Sequence, residues 1–374
     1  MKLKGSLRNM ENSQIFIENI NKLRKSPVFS MSLGSKELFH SNFWAYLMEQ
    51  EECKSLIGFF FEDIKDYSDA KIEREDKNRD LVIYSKGREY VIENKIKSYP
   101  DRSQLERYSE ETNLERGVIT GINEPPFELP VNWRFISYNE ISSFLRNISF
   151  KDNYLKSVVN DYCDVLDSIN LLMKMSLDET KGRLSYWSAN IKRLYDVRLM
   201  DVFRKNKADD FVQTCEELRI LAEHEIKDLP EWTFYISRSF HNGKSTISFE
   251  LQKGSGDNYK GQIGVQIEDN QFRLFLGLKN GPVEDIFKIG LQQRWFDEEF
   301  DKKGKREVFG HPTTMSKNPC SYSGRWVYQY FDTWNDKVEP KVDIQSYEEI
   351  KKQVSYYIEK AIYIIRSKGD EIFK

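Results

Sequence analysis

The sequence predicts an α/β protein: a mixed sheet flanked by helices, followed by an α+β C-terminal region with an antiparallel sheet. Helical and strand-like stretches alternate through residues 12–153. Residues 154–228 show the apolar period of long helices. Beyond them, turn sequences such as HNGK and EDNQ join strand-like stretches, a pattern typical of an antiparallel meander.

Each element of the first region has its own sequence signal. An amphipathic helix over residues 12–25 is followed by a second helix, read from SKELFHSNFWAYL. A strand over AKIERED precedes a hairpin over residues 79–98, which combines apolar LVIY, the turn SKGR and the strand EYVIENK. The remaining elements are a helix from SQLERY, two strands over RGVITGI and NWRFIS, and a helix over EISSFLRNI.

Composition narrows the classes of function. The 374 residues carry 57 Lys or Arg against 60 Asp or Glu, so the formal net charge is −3. Any affinity for nucleic acid must therefore come from a local basic patch. The four cysteines are scattered without a C-x-x-C pair, and the N-terminus has no apolar core of a signal peptide. We expect a cytoplasmic protein with no membrane span.

The ends of the hairpin carry charges that the apolar strands do not explain. Glu93 and Lys95 are two residues apart, so their side chains share one face of the strand, and Asp80 lies on the paired strand. Two neighbouring carboxylates stay ionised at neutral pH when a cation lies between them. Oxygen ligands with open positions suit Mg²⁺ or Mn²⁺, and such an ion can activate water beside a phosphate. A lysine beside it can orient that water.

This set resembles the PD-(D/E)XK nuclease superfamily, which has the restriction-endonuclease-like fold. Asp80 matches the first acid of the motif, Glu93 the second and Lys95 the lysine, although RD stands where the name has PD. The resemblance implies that Asp80, Glu93 and the backbone carbonyl of Asn94 are metal ligands. The helix ELFHSNFWAYL also resembles a bacterial branch of this superfamily, and there Glu37 matches an additional acid that joins the metal site.

A second motif extends the resemblance to about residues 30–145. Gln104 and Tyr108 in QLERY match the Q-x-x-x-Y of RecB-like members, and four-residue spacing places both on one helix face. The resemblance implies that Gln104 supports catalysis and that Tyr108 contacts substrate. His40, three residues after Glu37, is a further candidate for substrate contact.

Each candidate also has a plainer explanation. Glu93 and Lys95 could form a surface ion pair, and Asp80 could open a turn. Glu37 could stabilise a helix N-terminus. For Gln104 the alternative is a helix surface position, for Tyr108 the core, and for His40 capping or packing.

The resulting hypothesis is a metal-dependent nuclease that hydrolyses phosphodiester bonds, with DNA expected before RNA and a bacterial defence or DNA-processing role. A homodimer is compatible with it, because many relatives act as dimers. The alternative is a non-catalytic nucleic-acid or protein binding module on the same scaffold. We expect three segments: a nuclease-like domain over residues 1–153, a helical segment over 154–228, and an antiparallel-sheet α+β domain over 229–374 that recognises substrate or a partner.

Overall fold

A computed structural model describes most of the chain. The described residues are 2–32, 36–97, 99–100, 102–111, 113–125, 127–241, 243–269, 271–280, 283–296, 306–308, 311–315, 320–322, 326–332 and 346–374. They form two compact units: residues 1–179 with 187–206, and residues 180–186 with 207–374. None of their helices combines the length and the apolar character needed to cross a membrane.

The first unit contains the elements predicted for a mixed sheet with flanking helices. Its helices are α1 (Lys2–Lys25), α2 (Pro27–Ser32), α3 (Lys36–Glu49), α4 (Ser55–Phe60), α5 (Arg102–Glu111), α6 (Tyr138–Arg146) and α7 (Asn153–Glu179). Its strands are β1 (Lys71–Asp76), β2 (Arg79–Ser85), β3 (Arg88–Asn94), β4 (Leu114–Gly121) and β5 (Trp133–Ser137). Short 3-10 helices cover Glu51–Cys53 and Ile191–Val197.

The five strands form one sheet in the order β1-β2-β3-β4-β5. The β1–β2 and β2–β3 pairs are antiparallel, whereas β3–β4 and β4–β5 are parallel, so the sheet is mixed. A helix follows β3 and precedes the parallel strand β4, as the parallel connection requires. The predicted mixed sheet flanked by helices is confirmed, and it is consistent with a restriction-endonuclease-like α/β fold.

The two faces of this sheet are covered by different helices. Val82 and Val91 are paired across the hairpin and pack with Leu105 and Tyr108 of α5, so α5 covers their face. The opposite face carries the alternate residues of the same strands, and α3 packs against β1, β2 and β3.

The second unit is built on an antiparallel sheet, as predicted. Its strands are β6 (Trp232–His241), β7 (Lys244–Lys253), β8 (Gly261–Glu268), β9 (Gln271–Leu278), β10 (Arg306–Val308), β11 (His311–Met315), β12 (Cys320–Tyr322) and β13 (Trp326–Asp332). The order is β10-β11-β13-β9-β8-β7-β6, with β12 paired to β13. Helices α9 (Glu216–Glu225), α10 (Val283–Gln292) and α11 (Tyr347–Ile372) also belong to it, with a 3-10 helix over Gly256–Asn258.

The grouping into units differs from the three predicted segments. Helix α7 packs against α1, α2 and α6, which keeps it in the first unit rather than in a separate helical segment. Helix α8 (Met200–Gln213) begins in the first unit and ends in the second. A recognition role for residues 229–374 stays a prediction.

Candidate active site

The β2–β3 hairpin sets the two acids of the motif opposite each other. Lys86 and Gly87 form its two-residue turn with φ values of 50° and 75°, the left-handed region that such turns use. This turn fixes a register in which Leu81 pairs with Ile92. One step further along both strands, Asp80 faces Glu93 on the side of the sheet that α5 covers.

Glu93, Lys95 and Gln104 form a closed ring of hydrogen bonds. The Lys95 ammonium Nζ donates to Glu93 Oε1 at 2.8 Å and to Gln104 Oε1 at 3.1 Å. The amide nitrogen of Gln104 donates to the same Glu93 oxygen at 3.1 Å. The ring is largely removed from water, since Glu93 is 3% exposed and Lys95 9% exposed. Charge-assisted hydrogen bonds of this kind hold both motif residues in one orientation.

The second oxygen of Glu93 is a buried acceptor for which the described residues supply no partner. Glu93 Oε2 accepts no hydrogen bond from any of them. A buried carboxylate oxygen in this state is costly unless a donor or a cation binds it. The site therefore retains one strong ligand that the protein does not satisfy from its described residues.

The surroundings of Asp80 disfavour the ionised form of its carboxyl group. Burial raises its pKa from 3.8 to about 7, and the negative charge of Glu93 adds to this shift. The backbone N–H of Asn94, which donates to Asp80 Oδ2 at 2.7 Å, and the charge of Lys95 act in the opposite direction. A bound cation would relieve the same repulsion by stabilising both carboxylates in the ionised form.

Lys95 remains a cation in this environment. Burial alone lowers the pKa of its ammonium, but the carboxylates of Glu93, Glu37 and Asp80 outweigh it, and the net shift is upward. At neutral pH Lys95 is thus a donor of hydrogen bonds and a source of positive charge rather than a base.

Asn94 connects the site to the opposite face of the sheet. Its side-chain Nδ2 donates to the backbone carbonyl of Glu37 at 2.8 Å, and its Oδ1 accepts from the Tyr138 hydroxyl and from Thr120 Oγ1. Because neighbouring strand residues point to opposite faces, Asn94 fastens α3 while Glu93 faces α5. Metal ligation by its backbone carbonyl stays a prediction.

Glu37 lies in the first turn of α3, as expected, and approaches the site from that helix. Its Oε1 accepts from the backbone N–H of Lys97 at 3.0 Å. Its charge contributes to the pKa shifts of both Asp80 and Lys95. Glu37 therefore belongs to the same charge cluster, and its predicted ligation of a metal stays a prediction.

Tyr108 and His40 occupy positions that do not favour substrate contact. The Tyr108 side chain is buried, accepts from Gln104 Nε2 at 2.8 Å and donates to the Asn78 carbonyl at 2.8 Å. It positions Gln104. His40 is 1% exposed, its Nδ1 lies 2.8 Å from the Tyr162 hydroxyl, and its ring stacks on Tyr138. In this structure Tyr108 positions Gln104 and His40 packs in the core, and the predicted contact of both with substrate stays a prediction.

The donor set fits a hard divalent ion in part. Carboxylate oxygens of the kind supplied by Asp80 and Glu93 are the ligands that Mg²⁺ and Mn²⁺ take. Within the described residues, no group of three or more His, Cys, Asp or Glu side chains is spaced to hold a metal. The carboxylates of Asp80 and Glu93 are thus the side-chain ligands that fit such an ion, and the unsatisfied Glu93 Oε2 is the oxygen open to it. Further ligands would have to be backbone oxygens, water or a phosphate.

Sequence patterns did not reveal every residue at this site. Lys205 is 5% exposed, and its Nζ donates to the backbone carbonyl of Lys95 at 2.7 Å. It is 110 residues away in the chain, and no motif marks it. Thr120 lies near the end of β4 and Tyr138 directly follows β5, and the ends of these parallel strands meet beside that of β3. For these two the only available signal was their place at strand ends.

Comparison with known proteins gives one positive result. No curated protein and no solved structure matches the chain significantly. The family-model comparison gives a match over residues 28–119, a range that contains Glu37, Asp80, Glu93, Lys95 and both residues of the Q-x-x-x-Y pair. A match of this kind indicates nuclease chemistry on a nucleic acid. The resemblance stated from the sequence is thereby confirmed: residues 28–119 match the PD-(D/E)XK nuclease superfamily.

Proposed function

We propose that the first unit is a divalent-metal-dependent nuclease that hydrolyses phosphodiester bonds, with DNA as the expected substrate. One observation carries the proposal. Glu93 is buried with one oxygen held by Lys95 and Gln104, while its other oxygen has no partner within the described part of the chain and Asp80 lies opposite. A merely structural ion pair would satisfy both oxygens or expose them to water.

Asp80, Glu93 and the Asn94 backbone carbonyl would hold Mg²⁺ or Mn²⁺, with Glu37 as a further candidate ligand. When bound, such an ion supplies an acidified water and neutralises charge on a phosphate oxygen. The protein's own contribution comes from fixed side chains whose orientation is already set in the absence of substrate.

Lys95 is the catalytic cation in this mechanism. Its raised pKa keeps it protonated, so it can orient a water through its lone pair and stabilise negative charge that develops on phosphate oxygens. Gln104 keeps the ammonium beside Glu93, and Tyr108 keeps the Gln104 amide in the required orientation. The carboxylates of Asp80 and Glu93 would supply the negative charge that holds the divalent ion and the Lys95 ammonium.

Cleavage of a mixed panel of single- and double-stranded DNA and RNA, with Mg²⁺, Mn²⁺ or EDTA, tests the proposal. Lys95→Ala should lose about 10²- to 10³-fold in rate, as expected when one donor to the developing charge is removed. Glu93→Gln keeps an oxygen that can accept from Lys95 and should also be inactive. Lys156→Ala, an exposed lysine on α7, is the matched control.

The outcomes separate the proposal from its alternative. Wild-type rates in both site variants, with melting curves that show folded protein, would contradict the mechanism. Binding of nucleic acid in EDTA without cleavage under any metal condition would instead favour the non-catalytic module.

Four finer expectations accompany this proposal. A cytoplasmic location is expected from the scattered cysteines of the sequence, which lack a C-x-x-C pair. A homodimer and a bacterial defence or DNA-processing role follow from the resemblance alone, as does recognition by residues 229–374.

A further inference from the structure

A basic segment returns to the first unit after the chain has left it. Residues 187–206 group with the nuclease-like unit, although 180–186 and 207–374 group with the other unit. We call residues 187–206 the return segment. It carries five basic and two acidic side chains in a chain whose net charge is −3. It therefore supplies a local positive charge that the overall composition lacks.

The 3-10 helix of the return segment buries one row of side chains and exposes the others. Because this helix has three residues per turn, side chains three apart lie above one another. Ile191, Leu194 and Val197 form the buried row. Lys192 and Tyr195 follow the first two by one position each, Arg198 caps the C-terminal end of the helix with a left-handed φ of 51°, and all three are exposed. A cation and an aromatic ring thus share one side of the helix, and a second cation lies just past its end.

Two exposed aromatic rings in the segment each carry a cation. Trp187 is 58% exposed, with the Lys192 ammonium 5.7 Å from its ring centroid. Tyr195 is 49% exposed, with the Arg204 guanidinium 6.0 Å from its centroid and a 3.1 Å hydrogen bond from Arg204 to its hydroxyl. By contrast, Trp44 of the same unit is fully buried. Exposed aromatic faces bordered by cations are the chemistry that binds unpaired bases and phosphates.

The return segment is anchored at the catalytic end of β3. Lys205 follows Arg204 directly, and its Nζ donates to the Lys95 carbonyl at 2.7 Å. Asp201 forms an ion pair with Lys97 at 3.4 Å. Both contacts reach residues at or just after the E-x-K motif, so the C-terminal end of the return segment lies beside the motif.

We propose that Trp187, Lys192, Tyr195 and Arg198 bind a single-stranded stretch of nucleic acid and lead it to the Lys95 site. Bases of a duplex already stack on each other, whereas unpaired bases can stack on Trp187 and Tyr195. The positive charges of Lys192 and Arg198 attract the phosphates that link those bases. The binding surface rests on its own geometry, while delivery to the site rests on the proposed nuclease function.

Fluorescence anisotropy of a labelled oligothymidine in EDTA tests binding without cleavage. Trp187→Ala and Tyr195→Ala should each weaken binding by about 5- to 150-fold, the effect of losing one stacking platform. Trp187→Phe and Tyr195→Phe should largely retain binding, because they keep an aromatic face. Tyr154→Ala on α7 removes a tyrosine that is 75% exposed, and it should have no effect.

Two further binding measurements vary the charge of the protein and the type of nucleic acid. Lys192→Gln should reduce the slope of log affinity against log salt by about 0.7, as expected for one phosphate contact with a single strand. Labelled oligouridine distinguishes RNA from DNA on the same surface. A blunt duplex of equal length should bind more weakly and should be insensitive to Trp187→Ala.

Unchanged single-strand affinity in the folded Trp187→Ala and Tyr195→Ala variants would overturn the inference, and so would an equal loss for the duplex. The proposed function fails separately. Cleavage that requires Lys95 but ignores Trp187 would leave the nuclease standing and remove the docking surface. Weaker binding by Trp187→Ala, without cleavage by the wild type, would do the reverse.

Discussion

Asp80→Asn should make the metal-free protein more stable above pH 7, although it should abolish cleavage. Burial raises the pKa of Asp80 to about 7 in the folded protein, whereas the ordinary pKa of this carboxyl is 3.8. Between these pH values the folded state binds more protons than the unfolded state. The unfolding free energy therefore falls as pH rises through this window, and the full penalty applies above it. An uncharged amide at residue 80 removes the penalty.

The magnitude follows from the size of the shift. One pKa unit corresponds to about 1.4 kcal/mol, so a shift from 3.8 to about 7 corresponds to at most about 4 kcal/mol. The amide keeps an oxygen that can accept from the Asn94 N–H but buries its own N–H groups. We expect a net gain of about 2 kcal/mol above pH 7, with little difference near the pH at which both states are protonated.

Urea denaturation in EDTA across this pH range measures the effect. Asp76→Asn, on the neighbouring strand β1, is the control of opposite sign, because hydrogen bonds from Tyr84 and Arg79 lower the pKa of Asp76. Its carboxylate stabilises the fold above its unfolded pKa, so this variant should be less stable than wild type at neutral pH. Addition of Mn²⁺ should stabilise the wild type more than Asp80→Asn.

Two results would refute this reasoning. One is an Asp80→Asn variant that is less stable than the wild type above pH 7 in EDTA. The other is a difference between the two proteins that does not change with pH, since the penalty depends on titration of the carboxyl.

Two further predictions concern buried charges elsewhere. Arg79→Met should cost about 3–5 kcal/mol in urea denaturation, because it leaves the buried Glu89 carboxylate without the guanidinium that donates to it at 2.6 Å; a loss below about 1 kcal/mol would contradict it. Glu250→Gln should flatten the fall of stability with rising pH, because burial raises the pKa of Glu250 from 4.5 to about 7. Parallel pH profiles of wild type and Glu250→Gln would exclude this explanation.

The local parts of the site could be predicted from the sequence. Apolar strands around a Gly-containing turn predict the hairpin, and the two-residue strand period places Glu93 and Lys95 on one face. The four-residue spacing of Gln104 and Tyr108 places them on one helix face. Their hydrogen bond agrees with this expectation.

The burial of side chains near the motif could not be predicted in the same way. His40 and Tyr108 are both buried, and their predicted contact with substrate stays a prediction. A helical residue near a motif can face either the site or the core, and the helix period alone does not decide between them. Packing of α3 and α5 against the two faces of the sheet makes that decision.

The sequence by itself determined the hairpin and the order of acids and lysine, because these depend on neighbours a few residues apart. The order of helices and strands along the chain also predicted the mixed first sheet and the antiparallel second sheet. Only the tertiary structure decided that Lys205 reaches the Lys95 carbonyl and that the return segment joins the first unit. It also decided that Glu93 Oε2 is buried and that no described residue donates a hydrogen bond to it. Such features depend on contacts between residues that are far apart in the chain. Contacts of this kind leave no periodic pattern in the sequence.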